Sequence, residues 1–112
     1  MKLVLTSSLL ALLPLAVAVD FDWRVYRTGG CNHDAAPDNT YPPNSIGPNR
    51  GSSGQCINVP SGISWDHLEI DNSSLDVLVF CNGGCSGNAL SNTGTYCNTC
   101  PQGCVIGSFY VF

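Results

Sequence analysis

Apolar and polar side chains alternate from Val19 to Tyr26, so that Val19, Phe21, Trp23 and Val25 share one face of an extended chain. A period of two predicts a half-buried β-strand. Thr28-Gly29-Gly30 follows as turn chemistry, because glycine adopts positive φ at little cost. Cys56 to Val59 predicts a short strand that Pro60-Ser61-Gly62 ends. Alternation returns from Ile63 to Ile70, with Ile63, Trp65 and His67 on one face and Leu68 and Ile70 on the other. Asp71 to Ser74 is a turn, and Leu75 to Phe80 is the strongest apolar run after residue 19, a central strand. Val105 to Phe112 predicts a last strand. No stretch carries a helical period of useful length, so the pattern is all-β.

Two long stretches break this pattern. Asn32 to Gln55 is rich in Asn, Asp, Gly, Pro and Ser, and Cys81 to Tyr96 is rich in Gly and Asn. The first is long for a compact domain and reads as either a mobile insertion or a binding loop. It is the surface on which binding is expected.

The chain also repeats itself. Val25-Tyr26-Arg27-Thr28-Gly29-Gly30-Cys31 and Val79-Phe80-Cys81-Asn82-Gly83-Gly84-Cys85 share one pattern: Val, aromatic, two variable residues, Gly-Gly, Cys. Gly54-Gln55-Cys56 aligns with Thr95-Tyr96-Cys97, and Ser64-Trp65 with Ser108-Phe109. One such unit cannot bury its apolar face alone, whereas two packed face to face make a small sandwich. The units fall at about residues 19–70 and 71–112 of a single domain.

The segment before this domain sets the compartment. Lys2, an apolar run from Leu3 to Val19 and Ala16-Val17-Ala18 form a signal-peptide pattern over residues 1–18, so secretion is expected. Cleavage after Ala18 would take Lys2, the one lysine, with it and leave three arginines against eight acidic groups, a formal charge of −5. That excludes nucleic acid and anionic membranes as expected partners, because both bind through Lys and Arg.

Seven cysteines lie at 31, 56, 81, 85, 97, 100 and 104. A small secreted domain needs staples, so disulfides are expected. Equivalence of the two units predicts Cys31–Cys56 and Cys85–Cys97, with one more bond among Cys81, Cys100 and Cys104. The odd thiol is unpaired, modified or bridged to another molecule, the last giving a homodimer. Cys81-x3-Cys85 with Cys97-x2-Cys100 has zinc-ribbon spacing, and Cys97-Asn98-Thr99-Cys100 has redox spacing. An exported chain without a βαβ pattern favours structural disulfides over both.

Phe80-Cys81-Asn82-Gly83-Gly84-Cys85-Ser86-Gly87, followed by Ser108, resembles the βγ-crystallin Greek-key unit, with Cys85 at the second aromatic position. Tyr26 and Cys31 fit the first copy, with His33 where glycine belongs and Ser64 as its packing serine. The resemblance implies a disulfide-stapled sandwich of two βγ-crystallin-like Greek-key units. The residues before Ser64 and Ser108 lack the family's calcium-binding pattern, so no metal or other cofactor is expected. The whole chain is also similar to small cysteine-rich secreted proteins of filamentous ascomycete fungi, of the effector-candidate type. That resemblance implies an extracellular interaction protein, effector-, toxin- or inhibitor-like.

Catalytic chemistry finds little support. His33-Asp34 and His67 offer imidazoles for a triad, but no nucleophile signature accompanies them. Asp66, Glu69, Asp71 and Asp76 could pair as glycosidase carboxylates, yet most sit in turn composition. No enzyme is expected. Trp23, Tyr41, Trp65 and Tyr96 could form a sugar-stacking platform, which makes a carbohydrate- or cell-wall-binding module the alternative function. A Cys-linked structural wall protein is a third. The target is thus an extracellular protein or glycan. Asn72-Ser73-Ser74 is a sequon in a turn and marks Asn72 for glycosylation.

Overall fold

A computed structural model describes residues 17–93 and 96–112. Most of the expected signal peptide, residues 1–16, lies outside these. Among the described residues no helix is long and apolar enough to cross a membrane. Two antiparallel sheets form an all-β sandwich. In chain order the strands are β1 (Asp20–Tyr26), β2 (Thr40–Tyr41), β3 (Asn49–Ser52), β4 (Cys56–Asn58), β5 (His67–Ile70), β6 (Asp76–Phe80), β7 (Ala89–Thr93), β8 (Cys97–Thr99) and β9 (Ser108–Val111).

The first sheet has the order β2-β1-β5-β8, with β3 also on β1, and the second β4-β9-β6-β7. Strands β4 and β8 are therefore exchanged. β4 comes from the first repeat but pairs with β9, and β8 comes from the second but pairs with β5. Residues at period two fill the space between the sheets: Phe21, Trp23, Val25, Leu68 and Ile70 from one, Val77, Val79, Phe109 and Val111 from the other. Trp65 and Ile106, each just ahead of a strand, close one end, and the Ile106 amide donates to the Trp65 carbonyl at 2.9 Å.

Register corrects the repeat in one place. Tyr26 faces His67 and Phe80 faces Ser108, so the counterpart of Ser108 is His67 and not Ser64. β5 accordingly begins at His67, three residues later than Ser64, and Trp65 precedes it. Ser108 itself packs under the second hairpin, where its hydroxyl accepts from the Cys85 amide at 2.8 Å and donates to the Asn82 carbonyl. Gly107 makes this approach possible, since a Cβ there would lie 2.5 Å from the Asn82 carbonyl carbon. Cys56 and Cys97 occupy equivalent positions, opposite Tyr110 and Glu69.

The disulfide partners differ from those expected. Cys31 is bonded to Cys97 and Cys56 to Cys85, in place of Cys31–Cys56 and Cys85–Cys97. The equivalence of the four residues holds, but strand exchange carries β4 and β8 each to the other unit's hairpin. Both bonds therefore tie one unit to the other. Cys81–Cys104 is the third bond and leaves Cys100 free. Spanning 66, 29 and 23 residues, each bond removes about 3–4 kcal/mol of unfolded-chain entropy on the loop-closure account.

The Asn32–Gln55 stretch is not a structureless loop. It contributes β2 and β3, which together line one edge of β1. Their pattern escapes periodicity because an edge strand can stay polar and because Gly51 has no side chain. A Cβ at Gly51 would come within 2.8 Å of the Phe21 ring and Ile57 Cδ1, so core atoms fill the space that its side chain would need.

Peptide mapping under non-reducing conditions is expected to recover Cys31 with Cys97, Cys56 with Cys85 and Cys81 with Cys104. A peptide joining Cys31 to Cys56 would contradict the strand exchange.

Candidate functional site

The outward face of β1 carries Asp22, Arg24 and Tyr26, and that of β5 carries His67 and Glu69. A sandwich sheet normally turns such residues to water. Here Arg24, Tyr26 and Glu69 are buried instead, because the segment after Cys31 folds back over them.

Arg24 holds that segment. Its guanidinium donates to the carbonyl of Pro42 and, at 3.0 Å, to that of Ile46. A buried cation is costly unless its donors find acceptors, and two carbonyls of the covering chain each accept one of its N–H groups. Arg27 adds a second tie, with its side chain and its amide donating to the Oδ1 and backbone carbonyl of Asn39. The segment is thus docked by hydrogen bonds as well as by the short strands.

Beside Arg24, Glu69 is the hub of a polar cluster. The Tyr26 hydroxyl donates to Glu69 Oε1 at 2.9 Å, and His33 Nε2 contacts Oε2. The Tyr96 hydroxyl lies 3.3 Å from the same nitrogen of His33, whose ring stacks on Tyr26. Burial alone would raise the Glu69 pKa, but hydrogen bonds from Tyr96, His33 and Tyr26 outweigh it and hold the carboxyl below its ordinary 4.5. Burial, reinforced by the bond to Glu69, pushes the Tyr26 phenol well up and that of Tyr96 to about 12. Both phenols therefore remain donors at neutral pH. An open cleft of about 320 Å³ lies over this cluster, lined by Trp23, Arg24, Asn44, Asp71 and Tyr96 among others.

Around the edge of the sandwich, two depressions of about 500 Å³ each meet at Tyr41 and Pro60. Tyr41 is 37% exposed and is backed by two buried rings, Trp23 at 6.1 Å and Trp65 at 6.5 Å between centroids.

The sequence candidates separate in this geometry. His33 meets Glu69 rather than Asp34, which is exposed, and His67 contacts its neighbour Asp66 at 2.9 Å. Glu69 and Asp71 reach the cleft, whereas Asp66 accepts from the Gly29 amide and Asp76 lies on β6 of the other sheet. Six cysteines are spent in disulfides, so the thiolate sets of the zinc and redox patterns are not assembled. No group of three metal-ligating side chains occurs among the described residues. Of the four aromatics, Trp23 and Trp65 are core, while Tyr41 and Tyr96 reach the surface at different clefts. Asn72 sits in its turn, with Oδ1 accepting from the Ser74 amide and hydroxyl. Arg24 carried no local signal, since only the covering segment distinguishes it from a solvated strand residue. Comparison with protein-family models, curated proteins and solved structures finds no match.

Glu69→Ala strands the buried Tyr26 hydroxyl and should cost about 1–3 kcal/mol, read by chemical denaturation. Because the folded-state pKa of Glu69 lies below its unfolded value, the stability tied to that shift is present above pH 4.5 and is lost as pH falls through the folded pKa. Glu69→Gln should flatten that part of the acid limb. An unchanged acid limb in Glu69→Gln would show that the cluster does not set it.

Proposed function

We propose that this chain is a secreted interaction protein of effector, toxin or inhibitor type, without catalytic activity, whose contact surface is the Asn32–Gln55 segment. The observation that carries the reading is the Arg24 clamp. A buried guanidinium fixes the Pro42 and Ile46 carbonyls, so that Tyr41 and Ile46, the latter 58% exposed, stand on a preorganised support. Exposed apolar groups held rigidly on a stapled scaffold favour recognition over mobility.

Three disulfides point to an oxidising, extracellular-type compartment. Export through residues 1–18 and glycosylation at Asn72 belong to the proposal. The reciprocal exchange of β4 and β8, and the seat of Ser108 under its hairpin, support the βγ-crystallin-like double Greek-key reading.

Cys100 favours a monomer over a Cys-linked wall protein. Its thiol is part-buried against the core and donates to the Cys104 carbonyl at 3.0 Å, and burial pushes its pKa up. A protonated, shielded thiol is a poor partner for intermolecular exchange.

A photo-crosslinking residue at Ile46 should capture an extracellular partner, while the same residue at Ser91, exposed on β7, should not. Equal capture at both sites, or capture at Ser91 alone, would contradict the assignment of the surface. The unreduced protein should run as a monomer and take up alkylating agent at Cys100 much more slowly folded than unfolded. A dimer that reduction dissolves would restore the linked reading.

A further inference from the structure

We infer that the groove centred on Tyr41 is a glycan site that receives neutral pyranose rings, with the Tyr41 ring as its stacking platform. This deepens the reading of the Asn32–Gln55 segment as the contact surface and rests on it.

Tyr41 is both presented and held, 37% exposed and backed by core rings. Trp23 and Trp65 pack behind it at interplanar angles of 48° and 47°, and its backbone pairs with Val25. The ring is therefore fixed before any ligand arrives, and stacking costs little side-chain entropy. The apolar face of a pyranose, a row of C–H groups, is complementary to such a ring.

Depressions on both sides of Tyr41 extend the site. Each is about 500 Å³, within the range of small-molecule clefts. A groove that continues past its platform on two sides suits a chain of linked rings better than a single compact ligand.

The polar lining fits hydroxyl groups. Asn49, Gln55 and Asn58 border one depression, and amide side chains both donate and accept, as sugar hydroxyls do. Asn58 Oδ1 already accepts from the Gly84 amide at 2.7 Å, which fixes that side chain's direction. Thr40, 3% exposed, lines the other depression, and its hydroxyl has no hydrogen-bond partner among the described residues. A buried hydroxyl without a partner is uncommon.

Charge selects for a neutral ligand. The two cations at the groove are engaged within the protein, Arg27 by Asn39 Oδ1 and Arg50 by Asp22 at 2.8 Å. Arg50 is paired with a carboxylate, Asp38 borders the groove along with Arg27, and the net negative charge of the chain disfavours an anion.

The test is an amide NMR titration of the intact mature protein with chitohexaose and with laminarihexaose. At least one sugar should shift the amides of Tyr41, Asn49 and Gln55 and leave Ser91 still. Tyr41→Phe should keep the affinity within about threefold, and Tyr41→Ala should weaken it about tenfold or more. If Tyr41→Ala does not fold, Asn49→Ala with Gln55→Ala decides, a loss of about threefold or more supporting the site and an unchanged affinity overturning it. Absence of shifts with both sugars, or shifts centred elsewhere, overturns the glycan assignment. So does a proline-rich peptide that shifts the same amides when neither sugar does. None of these touches the crosslinking result at Ile46, whose failure would overturn the protein-contact reading instead.

Discussion

Everything in this small domain depends on the reciprocal exchange of β4 and β8. Each repeat lends one strand to the other sheet, and each lent strand is bonded through Cys56 or Cys97 to the recipient's hairpin. Neither repeat has a complete sheet of its own. The apolar faces of β1 and β6 can be covered only when both are present, so the core, the hairpins and the disulfides form together. For a chain of this size, where hydrophobic burial is modest, such interlocking replaces a larger core.

On that frame the two sheets differ in what they carry outside. The first sheet buries Arg24, Tyr26 and Glu69 beneath a segment of its own chain. Buried charges stabilise little by themselves and are costly when a partner is lost. Their effect here is one of position: Arg24 dictates where the Pro42–Ile46 backbone lies, and Glu69 dictates where His33 and Tyr96 lie. The Cys31–Cys97 bond closes the same region from the other side. The segment is thereby preformed, and Tyr41 is held in place on it.

Much of this was legible from residue patterns, and the failures have physical causes. β1, β6 and β9 announce themselves because one face is wholly apolar. β3 does not, because Gly51 leaves its inward position empty for Phe21 and Ile57. The pattern placed the start of β5 at Ile63 because Trp65 is a core residue without being a strand residue. Internal symmetry identified the equivalent cysteines correctly, yet symmetry within a chain is silent on whether equivalent strands stay home or cross over, and the partners came out swapped. The Glu69 cluster was invisible for a different reason. It joins residues 26, 33, 69 and 96, and only the fold brings such distant positions together.

Native-state hydrogen exchange tests the interlocked architecture most directly. If exchange of β4 and β8 holds the domain together, their protected amides should exchange with the same free energy as those of β1 and β6, through one global opening. Amides of β4 or β8 that exchange by local opening while β1 and β6 stay protected would show that each repeat stands without the strand it borrows, and would contradict the account.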